Sequence, residues 1–221
     1  ANVMPMFRCT KCGSEFPDFR YTCARCGSAL LLEGAPKRWE PRGAGLWRYR
    51  SMLPVSMSIS LSEGNSPLIR RRDSSDEVFL KVEGDNPTGS FKDRGTTVVI
   101  SDAYNRGHRT AVVASTGNMG ASVAAYSAYA NLAAKVFIPP GIPEEKIAQI
   151  TAYGAELVPV EGGFSAAVAR ARQEAEAGAY LASTGLNPLF IEGLKTIAYE
   201  LFEQMGVPDK IVVPTGTGGL L

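Results

Sequence analysis

Short apolar runs alternate along the chain with longer segments in which apolar residues recur every three or four positions. The short runs favour buried strands, and the three-to-four spacing favours amphipathic helices. The apolar runs predict strands at Glu77–Val82, Thr110–Ala114, Lys135–Pro139, Glu156–Val160, Ala179–Ser183 and Lys210–Pro214. The segments between them predict helices at Ser90–Arg106, Asn118–Asn131, Pro143–Tyr153, Ser165–Ala177 and Phe190–Met205.

This alternation predicts an α/β fold, with a parallel sheet covered on both faces by helices. Ligands of such sheets bind beyond the carboxyl ends of the strands, where loops lead into helices. Three loops of this kind are rich in Gly, Ser and Thr: PTGSFK (Pro87–Lys92), STGNMG (Ser115–Gly120) and PTGTGG (Pro214–Gly219). Free N–H groups at such turns bind phosphate or carboxylate, so we expect a ligand set with several anionic groups. None of the loops has the complete pattern of a nucleoside triphosphate or dinucleotide site.

Composition narrows the class of partner. The chain is 45% hydrophobic and 20% charged, and its net charge of +1 comes from 23 basic and 22 acidic residues. No excess of one sign predicts a nucleic acid or an anionic membrane as partner. We find no apolar run of the roughly 20 residues that span a bilayer and no signal peptide. We therefore expect a cytoplasmic protein that binds a small molecule.

All four cysteines lie near the N-terminus, in two CxxCG motifs: Cys9, Cys12, Cys23 and Cys26. Two such motifs can bring four thiolates around one tetrahedral Zn²⁺, and this spacing predicts a zinc-ribbon-like segment over residues 1–34. The alternatives are two disulfides, which a cytosolic chain disfavours, or a ribbon that no longer needs metal. The few basic residues beside the motifs are balanced by acidic ones, which favours a structural role.

Several ring side chains are interpreted as structural. Trp39 and Trp47 lie in a Gly-, Pro- and Arg-rich connector and should hold it against the protein. His108, the single histidine, is expected to be a solvated turn residue. Tyr126 and Tyr129 are expected to serve packing.

Lys92 follows a Pro-Thr-Gly-Ser turn and falls in the first turn of a predicted helix. The positive end of the helix dipole lowers the pKa of an amine, and the neutral amine is the nucleophile. Lysine forms Schiff bases with carbonyl compounds, and pyridoxal phosphate is the carbonyl cofactor that also carries a phosphate. The alternative is a surface lysine paired with Asp93 or Asp85.

The motifs also resemble a known family. PTGSFKDRG (Pro87–Gly95), STGNMG and the late glycine turn resemble the tryptophan synthase β group of pyridoxal phosphate enzymes, called fold type II. Within that group, SFKDRG, LWRYRSMLPV (Leu46–Val55), LSEGNSPL (Leu61–Leu68) and the cysteine-rich N-terminus look most like threonine synthases of the archaeal and bacterial type. The resemblance covers nearly the whole chain.

The resemblance implies a role for each matching residue. Lys92 would be the Schiff-base and catalytic lysine, with Phe91 part of the surface against which the cofactor packs. Asn118 would hydrogen-bond the ring hydroxyl. The cofactor phosphate would be held by Gly216, Thr217, Gly218 and Gly219. The substrate would be bound by Ser115, Thr116, Gly117, Met119 and Lys146, of which Lys146 matches a position that contacts the substrate phosphate.

The implied activity is that of a lyase of threonine biosynthesis, in which O-phosphohomoserine and water give threonine and phosphate. A homodimer is the implied assembly. Phe190 stands where similar enzymes read a basic residue near the substrate phosphate. Related enzymes that act on another amino acid, of cysteate-synthase or threonine-dehydratase type, therefore remain alternatives.

Relatives of this type continue beyond the position that matches Leu221, so we expect a truncated form that could be folded but inactive. We expect an incomplete large cofactor domain from residues 35–92 and 195–221, and a small inserted α/β domain from residues 93–194. The STGNMG loop on the small domain would close over the substrate and exclude water. A different class of function is a non-catalytic module in which the zinc ribbon recruits a partner.

Overall fold

The computed structural model describes residues 5–34, 38–72, 77–216 and 218–220 and, among these, not the side chain of Lys146. The strands are β1 (Met6–Cys9), β2 (Glu15–Phe16), β3 (Leu30–Glu33), β4 (Leu68–Arg70), β5 (Phe79–Lys81), β6 (Thr110–Ala114), β7 (Ala133–Ile138), β8 (Glu156–Pro159) and β9 (Tyr180–Leu181). The α-helices are α1 (Lys92–Asn105), α2 (Asn118–Tyr129), α3 (Glu144–Ala152), α4 (Gly163–Glu176), α5 (Pro188–Leu194) and α6 (Thr196–Met205). Short 3₁₀ helices span Leu46–Met52 and Glu83–Asp85.

The centre of the fold is a parallel sheet in the order β8-β7-β6-β9. Successive residues of a strand point to opposite faces. Val112 of β6 accordingly packs in one apolar cluster with Ala167 and Ala171 of α4. Its neighbour Val113 packs in a second cluster with Val123 of α2. Helices cover both faces, and the α/β class expected from the sequence is confirmed.

Three expected elements differ from the structure. The strand near residue 79 does not join the parallel series, because β5 pairs antiparallel with β4 in a separate two-stranded sheet. The single helix expected over Phe190–Met205 is broken at Lys195 into α5 and α6, where the Thr196 hydroxyl donates to the Gly193 carbonyl at 2.6 Å. Residues 210–214 form no strand with any described residue. Ile211 and Val212 are 59% and 88% exposed, and Val213 is half-buried.

Helices α1 and α5 cross at two glycines. A Cβ atom on Gly193 would lie 2.1 Å from the backbone oxygen of Arg94, so this crossing requires glycine. The fully buried ring of Phe190 fills the space beside Gly95, where an added Cβ would lie 2.5 Å from the ring. Phe190 is thus part of the protein core.

The tryptophans differ in burial. Trp47 is 5% exposed, and its indole Nε1 donates to Thr97 Oγ1 at 2.9 Å, so it holds the connector against α1 as expected. Trp39 stacks on Tyr49 with ring centroids 5.9 Å apart but is 43% exposed. Among the described residues, no helix has both the length and the apolar character needed to cross a bilayer.

The tyrosine pair of α2 provides a matched test of buried hydrogen bonding. Tyr126 is fully buried and donates its hydroxyl to the buried carboxylate of Glu63 at 2.7 Å, whereas Tyr129 is 60% exposed. Burial raises the pKa of Tyr126, so the hydroxyl remains a donor. We expect Tyr126→Phe to lower the free energy of unfolding by about 1.5–3 kcal/mol, because a charged acceptor loses its donor. Urea unfolding measures this change.

Tyr129→Phe is the control on the same helix, and its effect should stay within about 0.5 kcal/mol. Equal effects of the two substitutions would show that the Tyr126–Glu63 hydrogen bond adds no stability.

Candidate active site

Lys92 is the first residue of α1, as the sequence predicted to within two residues. Its Nζ atom lies 4.4 Å from the ring centroid of Phe91. Burial lowers the pKa of the Lys92 amine, which favours the neutral form. Nζ has no hydrogen bond or ion pair with any described residue. The alternative of a lysine paired with Asp93 or Asp85 is therefore wrong.

Asp93 holds the loop before Lys92 and the helix after the next strand together. Its carboxylate accepts hydrogen bonds from Thr88 N at 2.7 Å, Thr88 Oγ1 at 2.6 Å and Ser122 Oγ at 2.5 Å. Burial raises the pKa of Asp93 although these hydrogen bonds oppose the shift. Sequence reasoning considered Asp93 only as a counter-ion for Lys92 and missed this positioning role. The available signal was an acidic residue directly after the candidate lysine, in the first turn of a predicted helix.

The STGNMG loop is braced by its own serine. Ser115 Oγ accepts from the backbone N–H groups of Gly117 at 3.3 Å and Gly120 at 2.9 Å. Asn118 begins α2 with an exposed side chain, one helical turn before Ser122, and therefore on the face that Asp93 contacts. Met119 is 7% exposed and packs in the main apolar cluster. Thr116 and Gly117 are half-buried.

The other residues expected in the site, Lys146 and residues 216–219, have fewer described contacts with the surroundings of Lys92. Helix α3, which carries Lys146, is tied to the PTGSFK loop because Gln149 Nε2 donates to the Thr88 carbonyl at 3.1 Å. The side chain of Lys146 and the whole of Thr217 lie outside the described residues. Gly216 is exposed, Gly218 has a φ of +79°, and Gly219 is half-buried. No hydrogen bond links these three glycines to the described residues around Lys92.

Comparison with known proteins identifies the family. A family model described as "Pyridoxal-phosphate dependent enzyme" matches residues 59–221, which is most of the chain. The chain belongs to this family. It is 38% identical to the threonine synthase of Methanocaldococcus jannaschii, over 96% of this chain and 58% of that protein. It is 41% identical to the threonine synthase of a Synechocystis species, over 87% of this chain and 54% of that protein.

Solved structures of the pyridoxal phosphate family have the same fold. A pyridoxal 5′-phosphate-dependent aspartate racemase superposes with a TM-score of 0.64 and 29% identity, over 70% of this chain and 50% of that one. Maize serine racemase superposes with a TM-score of 0.62 and 26% identity, over 70% of this chain and 49% of that one. The chain thus spans about half the length of the relatives that it matches.

The surroundings of Lys92 fit the aldehyde cofactor of this family. An amine must be unprotonated and unpaired to react with an aldehyde. Lys92 Nζ is the described lysine amine that combines partial burial, a lowered pKa and the absence of a described partner. Phe91 supplies an aromatic face beside it.

A buried ion network fixes the helix that bears Lys92. The guanidinium of Arg94, which is fully buried, donates to Glu83 at 2.7 Å and to Glu200 at 3.0 Å. Lys81 also donates to Glu200. Burial alone would raise the pKa of Glu200, but hydrogen bonding and attraction from Arg94 and Lys81 outweigh it and lower the pKa to about 2. The network ties α1 to β5 and α6.

Proposed function

We propose that this chain forms part of a pyridoxal phosphate-dependent lyase that converts O-phosphohomoserine and water to threonine and phosphate. The observation that carries the proposal is the unpaired, partly buried amine of Lys92 at the start of α1. The substrate assignment is supported by relatives named threonine synthase that match most of this chain.

We assign the cofactor contacts by matching motif positions. Lys92 would carry the cofactor, Phe91 would pack beside it, and Asn118 would hydrogen-bond the ring hydroxyl. Gly216, Thr217, Gly218 and Gly219 would hold its phosphate. Three of these positions lie where α1 and α2 begin: Phe91, Lys92 and Asn118. The two helices are joined there by the hydrogen bond that Ser122 Oγ donates to the Asp93 carboxylate.

The substrate contacts would come from the loop at the start of α2 and from α3. Ser115, Thr116, Gly117 and Met119 would surround the substrate carboxylate, and Lys146 would bind the substrate phosphate. The backbone N–H groups of Asn118 and Met119 have no acceptor among the described residues, and such groups bind anions. Their availability supports a carboxylate site at this loop.

Pyridoxal phosphate, when bound, supplies an electron sink that stabilises negative charge on the substrate carbons. Lys92 would hold and move protons at those carbons through Nζ, since its lowered pKa allows it to act as base and then acid. Asp93 would fix the position of Lys92 relative to the STGNMG loop, because its carboxylate accepts hydrogen bonds from both Thr88 and Ser122. The STGNMG loop would orient the substrate and exclude bulk water, apart from the one molecule that the reaction adds to the substrate.

Cofactor attachment tests the proposal directly. The protein supplied with pyridoxal phosphate should gain a visible absorption band, and borohydride should fix the cofactor on the peptide that contains Lys92. In a separate sample that has not been reduced, the cofactor-loaded protein should convert O-phosphohomoserine to threonine and phosphate in equal amounts. An unmodified Lys92 after reduction would contradict the cofactor assignment.

A second candidate is a related enzyme that acts on another amino acid. Its support is Phe190, which is fully buried against Gly95 at the position where similar enzymes have a basic residue. Cofactor attachment without turnover of O-phosphohomoserine would favour this candidate. A panel of amino acids that includes serine, threonine and O-phosphoserine would then identify the substrate.

We further propose that residues 93–194 move as a small domain relative to residues 35–92 and 195–221. All four strands of the parallel sheet fall within residues 110–181, and the STGNMG loop lies at its edge. The joins near Gly95 and Gly193 lie at the close crossing of α1 and α5. Crystal structures with and without a substrate analogue should show this body rotating as a unit. Identical arrangements in both would reject the division.

A further inference from the structure

The four cysteine sulfurs form a compact cluster that the proposed lyase function does not use. Cys9 Sγ lies 3.5 Å from Cys26 Sγ, and Cys12 Sγ lies 3.6 Å from Cys23 Sγ and 3.7 Å from Cys26 Sγ. All four sulfurs lie within 4.8 Å of one another, and none is in a disulfide. Zinc–thiolate bonds of about 2.3 Å in a tetrahedron place sulfurs about 3.8 Å apart. The observed spacing matches this geometry.

The backbone of both motifs is shaped for metal-bound sulfur. Cys9 Sγ accepts from the N–H groups of Lys11 and Cys12 at 3.4 Å, and Cys23 Sγ accepts from Arg25 N at 3.4 Å. Gly13 and Gly27 close the two turns with φ values of +69° and +70°. Hydrogen bonds to the sulfurs stabilise thiolates, which are the form that binds metal.

The segment between the motifs reaches the open edge of the parallel sheet. Strand β9 is the outer strand beside β6, and its Leu181 N–H donates to the Tyr21 hydroxyl at 3.0 Å. The Phe19 ring lies parallel to the Tyr180 ring at 6.3 Å, and the Arg106 guanidinium lies 4.7 Å from the Phe19 centroid. Residues 19–21, which we call the clamp, therefore cover the edge of β9.

The clamp belongs to an N-terminal segment that has only a small sheet of its own. Its sheet, in the order β2-β1-β3, contains only short strands. A unit of this size has too little core to fold by apolar burial alone and depends on metal or on docking to a larger body. The clamp lies between the two cysteine motifs, so a metal bound by both motifs would hold the chain on each side of the clamp.

We propose that Cys9, Cys12, Cys23 and Cys26 bind one Zn²⁺ and that the metal holds the clamp against β9, so that metal loading protects the edge of the parallel sheet. This role is independent of the proposed lyase activity. Its tests measure metal and backbone protection, so their outcome does not depend on the cofactor or the substrate.

Metal analysis tests the site itself. The reduced protein should bind one equivalent of Zn²⁺ per chain, and Cys12→Ser should lose most of it. Lys11→Ala, an exposed change in the same motif, should retain full stoichiometry. A chain that takes up no Zn²⁺ while its four thiols are free, a chain that carries two disulfides, or a chain that selects iron would overturn the zinc assignment.

Hydrogen exchange tests the coupling to the sheet. Removing Zn²⁺ from the wild-type protein with a chelator should speed exchange of the Leu181 amide at least about tenfold, and restoring Zn²⁺ should reverse the change. Tyr21→Phe should keep its Zn²⁺ and still lose protection at Leu181, because only the acceptor hydroxyl is missing. Unchanged protection of Leu181 after zinc removal would overturn the clamp.

Discussion

Replacement of Lys92 by alanine is expected to abolish cofactor attachment and to lower activity by at least about a thousandfold. The proposed function gives this one amine two tasks, which are holding the cofactor and moving protons at the substrate carbons. The variant should keep its fold, because Nζ has no hydrogen bond or ion pair with a described residue. The visible band after cofactor addition and the rate of phosphate release measure the two losses.

Lys135→Ala is the matched control. Lys135 lies in the first half of β7, outside the three glycine-rich loops, and its amine is 3.7 Å from Glu174. This variant should keep both the band and the activity. An alanine at position 92 that leaves borohydride-stable cofactor on the protein would show that another lysine carries it.

Arg94→Met is expected to destabilise the protein by about 3–5 kcal/mol, which is the usual cost of removing one partner from a buried ion pair. Methionine keeps much of the apolar volume but leaves Glu83 and Glu200 facing a position without charge. Arg106→Met at the end of the same helix is the control. Arg106 pairs with Asp102 near solvent, so its loss should cost at most about 1 kcal/mol. Similar costs for both variants would contradict a dominant role of the buried network.

The free energy of unfolding at acid pH distinguishes two effects of Arg94→Met, the loss of the charge and the loss of packing. The pKa of Glu200 is lowered to about 2 in the folded protein from an ordinary 4.5, so wild-type stability from this group is present above pH 4.5 and is lost as pH falls towards 2. In Arg94→Met, burial without the guanidinium should raise the pKa of Glu200. The stability gap between wild type and variant should therefore narrow as pH falls through this window. A gap that does not change with pH would assign the loss to packing.

Local patterns in the sequence determined most of the elements of this protein. The run TAVVA predicted β6 to the residue, and the alternation beyond it predicted the helices and strands of the parallel sheet to within a few residues. Buried parallel strands and amphipathic helices leave a periodic signal that needs no knowledge of their neighbours. The motif around Lys92 likewise indicated the cofactor family before any geometry was considered.

Pairing and side-chain partners depended on the tertiary structure. Whether Phe79–Lys81 joins the large sheet or pairs with Leu68–Arg70 depends on which backbone lies beside it, and local periodicity does not contain that information. Phe190 belongs to the core because Gly95, on a helix far away in the sequence, has no side chain and leaves room for the Phe190 ring. Asp93 likewise joins two helices instead of pairing with Lys92, because the folded chain brings Ser122 of α2 within hydrogen-bonding distance of it. Sequence thus determined what each segment can form, and contacts between distant segments decided what each side chain does.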